Sequence, residues 1–183
     1  YTTIAGYHAD DASDHLRLDP AFTQILGKKA LASQPTISRC LNHFDIRMLE
    51  TLDHLLLDFV EKAYVMNQPE YVVLDVDSTH IDTHGHQENS AYNYHYGTTG
   101  YHPLMVFDGL TGDLLKAELR KGSVYTSNNV VAFLEPVLQW YRTKFPDIQL
   151  ILRGDSGFAT PELYELLDDF DVYYVIRLKL NAK

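Results

Sequence analysis

Tyr71-Val72-Val73-Leu74-Asp75-Val76-Asp77 is the stretch on which the reading of this chain turns. A nearly continuous apolar run rich in β-branched residues suits a central strand buried on both faces, and this run ends in acid. Working outward from it, residues 80 to 100 are rich in Gly, His and Tyr and read as a long loop. Then come Pro103 to Phe107, a turn at Asp108-Gly109-Leu110-Thr111-Gly112, and Asp113 to Leu119. Two such runs around a glycine-containing turn predict a β-hairpin.

Further on, Ser127 is placed to cap a helix whose apolar face is Val130, Val131, Phe133, Leu134, Val137, Leu138 and Tyr141, with a kink expected at Pro136. Ile148 to Leu152 predicts a short buried strand, ended by Arg153-Gly154-Asp155. Thr160 as cap and Pro161 at the first helical position begin another helix, to about Asp169, and Val172 to Leu178 forms a last strand. The order is strand, hairpin, helix, strand, helix, strand. Strands joined without helices should pair antiparallel, whereas strands reached through helices should lie parallel to the first. The expected fold class is therefore α/β, an RNase H-like mixed sheet flanked by helices.

Upstream, residues 1–70 read as a small all-helical region and 71–183 as the mixed domain, with the boundary near the Asn67-Gln68-Pro69 breaker. From Asp45 to Val65, apolar residues at Ile46, Leu49, Leu52, Leu56, Phe59, Val60 and Ala63 recur at helical steps and predict one buried stripe. Pro20 to Leu26 and Pro35 to His43 predict two shorter helices, the second capped by Ser33. With Gln34, Thr36, Ser38 and Arg39 at its start, that pair has the outline of a helix-turn-helix. Two helices that merely pack together are the commoner reading.

Composition bounds the function. At 183 residues and 45% apolar content the chain can bury a sizeable core. Cys40 stands alone, so no internal disulfide and no cysteine-based zinc cage can form, which fits a reducing, cytoplasmic setting. No apolar stretch approaches the roughly 18 to 20 residues that span a bilayer, so no membrane partner is expected. The net charge of −10 excludes a broad basic surface for nucleic acid and leaves only local or metal-assisted DNA contact. The opening at Tyr1 and the stop at Lys183, directly after a predicted strand, are those expected of an internal fragment.

Chemistry gathers at two strand ends. Asp77 closes the first strand and Asp155 follows the strand reached through a helix, so one sheet would bring both to one edge, where ligands of open α/β sheets collect. Carboxylates suit a hard cation, Mg²⁺ or Mn²⁺. With a third acid they would hold two ions about 4 Å apart for in-line phosphoryl transfer. Each aspartate taken alone is more often a turn former or helix cap.

The segments Leu74-Asp75-Val76-Asp77-Ser78-Thr79, His84-Gly85 to Tyr101-His102-Pro103-Leu104, Leu152-Arg153-Gly154-Asp155-Ser156-Gly157-Phe158-Ala159 and Leu31 to Arg39 resemble the DDE transposases of bacterial insertion sequences. The resemblance implies an RNase H-like core that cuts and rejoins DNA with Mg²⁺ or Mn²⁺, acting on the element's terminal repeats and on target DNA, as a homodimer in the full-length protein. It implies that Asp77 and Asp155 are the first two catalytic acids and metal ligands, with Asp75 a near alternative for the first. The third, a glutamate, is expected beyond Lys183, so these 183 residues alone are expected neither to cleave nor to join DNA.

A haloacid-dehalogenase-type phosphatase is the competing enzyme, since Asp75-Val76-Asp77-Ser78-Thr79 fits its Asp-x-Asp-x-Thr motif with Asp75 as nucleophile and Asp77 as general acid. It requires a helix, not a hairpin, after the first strand. A non-catalytic DNA-binding module is the third class. His80, His84, His86, His95 and His102 read as a hydrogen-bonding loop before a zinc site. Tyr92, Tyr94 and Tyr96 alternate as strand residues do, and core packing is the default against stacking on unpaired bases. Arg153, Arg177 and Lys179 are either phosphate contacts beside the acids or solvated cations.

Overall fold

Residues 2, 3, 5–7 and 9–179 are described by a computed structural model of the chain. Four helices come first, α1 (Ala12–Leu16), α2 (Pro20–Ile25), α3 (Gln34–Leu41) and α4 (Ile46–Met66). They are followed by β1 (Tyr71–Ser78), β2 (Ile81–Asp82), β3 (Ala91–Asn93), β4 (Thr98–Tyr101), β5 (Leu104–Asp108) and β6 (Leu114–Glu118). Then come α5 (Val130–Lys144), β7 (Gln149–Gly154), a 3₁₀ turn (Ser156–Phe158), α6 (Pro161–Asp169) and β8 (Tyr173–Ile176). Two compact units, Tyr1–Leu52 and Asp53–Lys183, divide within α4. The change from helical to mixed structure falls later, at 67–70. No described helix is long and apolar enough to cross a membrane.

In the second unit the main sheet has the order β6-β5-β1-β7-β8. The β5–β6 hairpin lies antiparallel beside β1, while β7 pairs parallel with β1 and β8 parallel with β7. That is the RNase H-like arrangement, and it removes the phosphatase reading, which needs a helix after the first strand. The hairpin turn closes on Asp108, whose Oδ1 accepts from Leu110 N at 2.9 Å, and the amide of Gly112 reaches Asp108 O at 2.7 Å with φ at +81°. Only glycine adopts that backbone without strain.

One face of this sheet is dry. Val72, Leu74 and Val76 of β1, Leu104 and Val106 of β5, and Leu150 and Leu152 of β7 join one core with Phe133, Leu134, Val137, Leu138 and Tyr141 of α5 and Leu163, Leu166 and Leu167 of α6. The later turns of α4 add Leu57, Val60 and Tyr64, with the Tyr64 hydroxyl donating to Asp108 Oδ2 at 3.2 Å. Burial in β1 alternates strictly, so the expectation of a strand buried on both faces is wrong. An apolar run fits either case, and the second face carries Asp75 and Asp77.

Three further expectations change. The buried stripe of α4 is Leu57, Val60 and Tyr64, whereas Ile46, Leu49, Leu52 and Phe59 stay exposed. The triplet Leu55-Leu56-Leu57 makes two stripes equally apolar, and contact with Tyr141 and Asp108 selects one. Asn129, not Ser127, is the cap residue of α5. That helix continues past Pro136, which lies with Ala132 on its exposed side, so the Ala132 carbonyl left without an amide partner is open to solvent. Finally, the segment 80–100 is not one loop but carries a second sheet, β2-β4-β3, with 83–90 and 94–97 as its connections. Its strands pass so close to the following turn that a Cβ on Gly122 would sit 2.3 Å from Ala91 O and 2.4 Å from Gly100 O.

The first unit is thinly packed by comparison. Asp19 caps α2 by accepting from Phe22 N at 3.0 Å, with Pro20 at the first helical position. Gln34 donates from its amide side chain to Asp10 and from its backbone to Asp14. The polar start of α3 is therefore engaged within the unit.

Candidate active site

The register of β1 with β7 assembles the site. Asp75 lies opposite Arg153 as a parallel partner, and the backbone stays extended through Asp155, at φ −79° and ψ 179°. Continuing the register by two residues brings Asp77 opposite Asp155, on strands roughly 4.8 Å apart. Residues two apart share a face, so Asp75, Asp77, Arg153 and Asp155 form a four-cornered polar patch on the face turned away from the core. All four border one groove of about 500 Å³, with Phe107 and Gly109 of the hairpin at its side.

Within the patch the carboxylates differ. Asp77 and Asp155 are exposed, and each uses Oδ1 to accept a backbone amide at 2.7 Å, from Ser78 and Gly157 respectively. Those bonds orient the carboxylates without covering them. Asp75 is half-buried and held by Arg153, whose Nε donates to Oδ1 at 2.6 Å while Nη2 meets Oδ2. The hydrogen bonds and charge of Asp75 raise the Arg153 pKa above its ordinary value. A Cβ on Gly109 would come within 2.5 Å of Asp75 Oδ2, so only glycine lets the hairpin turn lie there.

As a candidate metal site, the Asp77–Asp155 pair offers the oxygen donors that Mg²⁺ or Mn²⁺ prefers. Among the described residues, no three His, Cys, Asp or Glu side chains are grouped to hold an ion. Of the five histidines, His80 and His102 follow the hydrogen-bonding reading. His80 Nε2 lies 2.8 Å from Thr98 Oγ1 and its ring stacks on Tyr96, and His102 Nδ1 lies 2.8 Å from Val124 O.

Beside Asp155 a second pocket of about 490 Å³ is walled by Ser78, Tyr94, Tyr96, Tyr125 and Lys179. Tyr92, Tyr94 and Tyr96 are exposed, so core packing, the default reading, does not hold for them. Tyr92 lies in β3, whereas Tyr94 and Tyr96 lie in the turn 94–97 between β3 and β4 and so do not alternate on a strand. The buried Asn93 fixes that turn, its Oδ1 accepting from His95 N and Tyr96 N and its Nδ2 donating to Gly122 O. Lys179 Nζ lies 3.4 Å from the Tyr125 hydroxyl, and Arg177 is exposed.

Three positioning groups were not visible in the sequence. Thr126 meets Ser78 Oγ at 3.3 Å and packs where a Cβ on Gly157 would be 2.9 Å away. Arg120, buried and pushed below its ordinary pKa by desolvation, donates to the carbonyls of His102, Thr126 and Asn128 and so fixes that loop. Gly109 was read only as a turn residue. A buried arginine near a Gly-Ser turn is a signal, but nothing in sequence ranks it above any other arginine.

The family model of the transposase DDE domain, group 1, matches residues 1–183. No curated protein matches the chain. Among solved structures, the catalytic domain of Mos1 mariner transposase aligns at 12% identity and a TM-score of 0.40, over 72% of this chain and 61% of that one. The Mos1 paired-end complex with left transposon end aligns at 13% and 0.40, over 91% and 58%. A piggyBac transposase synaptic complex with hairpin DNA aligns at 16% and 0.46, over 90% and 38%. The chain thus spans about three-fifths or less of the length of these proteins.

Proposed function

The chain belongs to the family of transposase DDE domains, group 1, and from that premise we propose that the whole protein cuts and rejoins DNA strands at the ends of an insertion sequence, with Asp77 and Asp155 as ligands of its divalent cation. What supports the assignment of residues is that β1 and β7 pair in parallel with Asp75 opposite Arg153, two residues before Asp77 and Asp155, and that these two aspartates are exposed and border one groove. The same proposal covers target DNA as second substrate, Mg²⁺ or Mn²⁺ as the ion, a homodimeric full-length protein, and action in the cytoplasm.

When bound, a divalent cation stabilises charge on the attacking and leaving oxygens of an in-line phosphoryl transfer. The chain's own residues do the rest. Ser78 N and Gly157 N hold Oδ1 of each carboxylate, so the ligands are oriented before the ion arrives. Thr126 and the Arg120-braced loop keep those two backbone segments together. With a net charge of −10 the protein binds a strand only where local groups favour it, and Lys179, Tyr125 and Tyr94 beside Asp155 are placed to do so.

The test is metal-dependent cleavage of DNA bearing the element's ends by the full-length protein and by its Asp77→Asn and Asp155→Asn forms. Loss of cleavage in both, with DNA binding retained, is the expected result. Undiminished cleavage by either variant removes that aspartate from the mechanism.

A further inference from the structure

Of the four charged side chains at the carboxyl ends of β1 and β7 on the open face, three are carboxylates, and the fourth has closed on one of them. The Arg153 fork engages both oxygens of Asp75, and the hairpin turn at Gly109 backs the same carboxylate from the other side, fixed to β1 by Gly109 N donating to Val73 O at 2.7 Å. While the fork is closed, a guanidinium charge opposes any cation that would approach those oxygens.

We propose that Arg153 is a phosphate-exchanged latch on Asp75: closed on the carboxylate without DNA, and drawn off by a strand phosphate so that the Asp75 carboxylate, no longer neutralised, adds its negative charge beside Asp77 and Asp155 where the cation is held. This rests on the metal site proposed above. Exposure says which partner moves. The Arg153 side chain is 60% exposed and that of Asp75 26%, so the arginine is the free arm and the aspartate the fixed post. Water reaches the guanidinium side of the pair, which screens the attraction and gives the departing arginine solvent to meet. A phosphate fits the planar guanidinium fork as a carboxylate does, by two parallel hydrogen bonds, and DNA brings phosphates in a dense line to this edge. The exchange leaves the arginine neutralised and returns a negative charge to the face that must hold a cation. DNA and metal therefore favour the same open state, and the coupling must be reciprocal.

The experiment measures Mn²⁺ binding to the full-length protein by calorimetry without DNA, for the wild type, Arg153→Lys, Asp75→Asn, the double variant and Asp77→Asn. Lysine keeps the charge and length but cannot make the fork, so folding is preserved and simple charge removal is excluded. Arg153→Lys should tighten Mn²⁺ binding by on the order of tenfold, the scale on which partners of metal ligands act, and the gain should vanish in the Asp75→Asn background. No gain, or an equal gain in both backgrounds, overturns the latch. In EDTA, with a labelled duplex followed by anisotropy, Asp75→Asn should tighten DNA binding when Arg153 is present and not when it is Gln. Equal tightening in both also overturns it. Asp77→Asn distinguishes the two levels: Mn²⁺ binding unchanged by it overturns the metal-site reading and the latch together, whereas Mn²⁺ binding weakened by it without the Arg153→Lys gain overturns the latch alone.

Discussion

The two faces of the central sheet are made by the same strands and do opposite work. On one, Leu74, Val106, Leu150 and Leu152 are wholly buried under α5 and α6. On the other, one residue along each strand, stand Asp75, Asp77, Arg153 and the following Asp155. The two-residue period of a strand makes this separation possible: side chains can be exchanged on the wet face without disturbing the dry one. The comparison predicts that substitutions on the open face cost activity and those on the closed face cost stability.

The largest effect should come from the open face. Asp155→Ala in the full-length protein is expected to lower metal-dependent cleavage by on the order of 10³-fold, the several kcal/mol that metal-assisted charge stabilisation supplies, with little change in melting temperature. Only the hydrogen bond from Gly157 N is lost from the fold. A large drop in melting temperature instead would make Asp155 a structural cap and dissolve the contrast.

Leu152→Ala is the mirror experiment on the same strand. The side chain is fully buried, so its removal should cost about 3 kcal/mol, through lost burial and the cavity left behind, read as a shift in the urea midpoint. A cost below about 1 kcal/mol would show that the core there collapses freely. Alkaline titration probes the same dry side more gently. Burial beside Tyr141 and Asp108 pushes the Tyr64 pKa up to about 12 from an ordinary value of about 10. The folded state thus holds this proton more tightly than the unfolded one, so the contribution is intact below about pH 10 and is lost as pH rises towards about 12. Stability should fall across that window, and Tyr64→Phe should flatten the fall; an unchanged slope would assign it to other groups.

Much of this contrast was legible in the residues themselves. The hairpin, α5, β7, α6 and β8 announced themselves through periodicity and through Thr160-Pro161, whose hydroxyl does accept from Leu163 N. The second face of β1 did not, because Val73 within Tyr71-Val72-Val73-Leu74 looks the same whether a helix covers it or water does. The small sheet was missed because strands of two to four residues are too short to show a period. The aspartates could be placed at strand ends by pattern alone. The Arg153–Asp75 fork joins residues 78 positions apart and depends on register, which sequence pattern leaves free by two.

The smallest effect gives the sharpest test of whether the open face stays open. Val73 lies between the buried Val72 and Leu74 and shares its face with Asp75. Val73→Thr keeps the β-branched shape and strand preference and adds only a hydroxyl. On a face that water reaches, the hydroxyl stays solvated, and the full-length protein should change stability by no more than about 0.5 kcal/mol, as for ordinary surface substitutions. If another part of the whole protein covers that face, the same hydroxyl is buried without a partner and costs about 1 to 3 kcal/mol. Comparing the substitution in the 183-residue chain and in the full-length protein separates these cases: a small cost in both keeps the face open, and a cost that appears only at full length means that a further element closes over the groove beside Asp75.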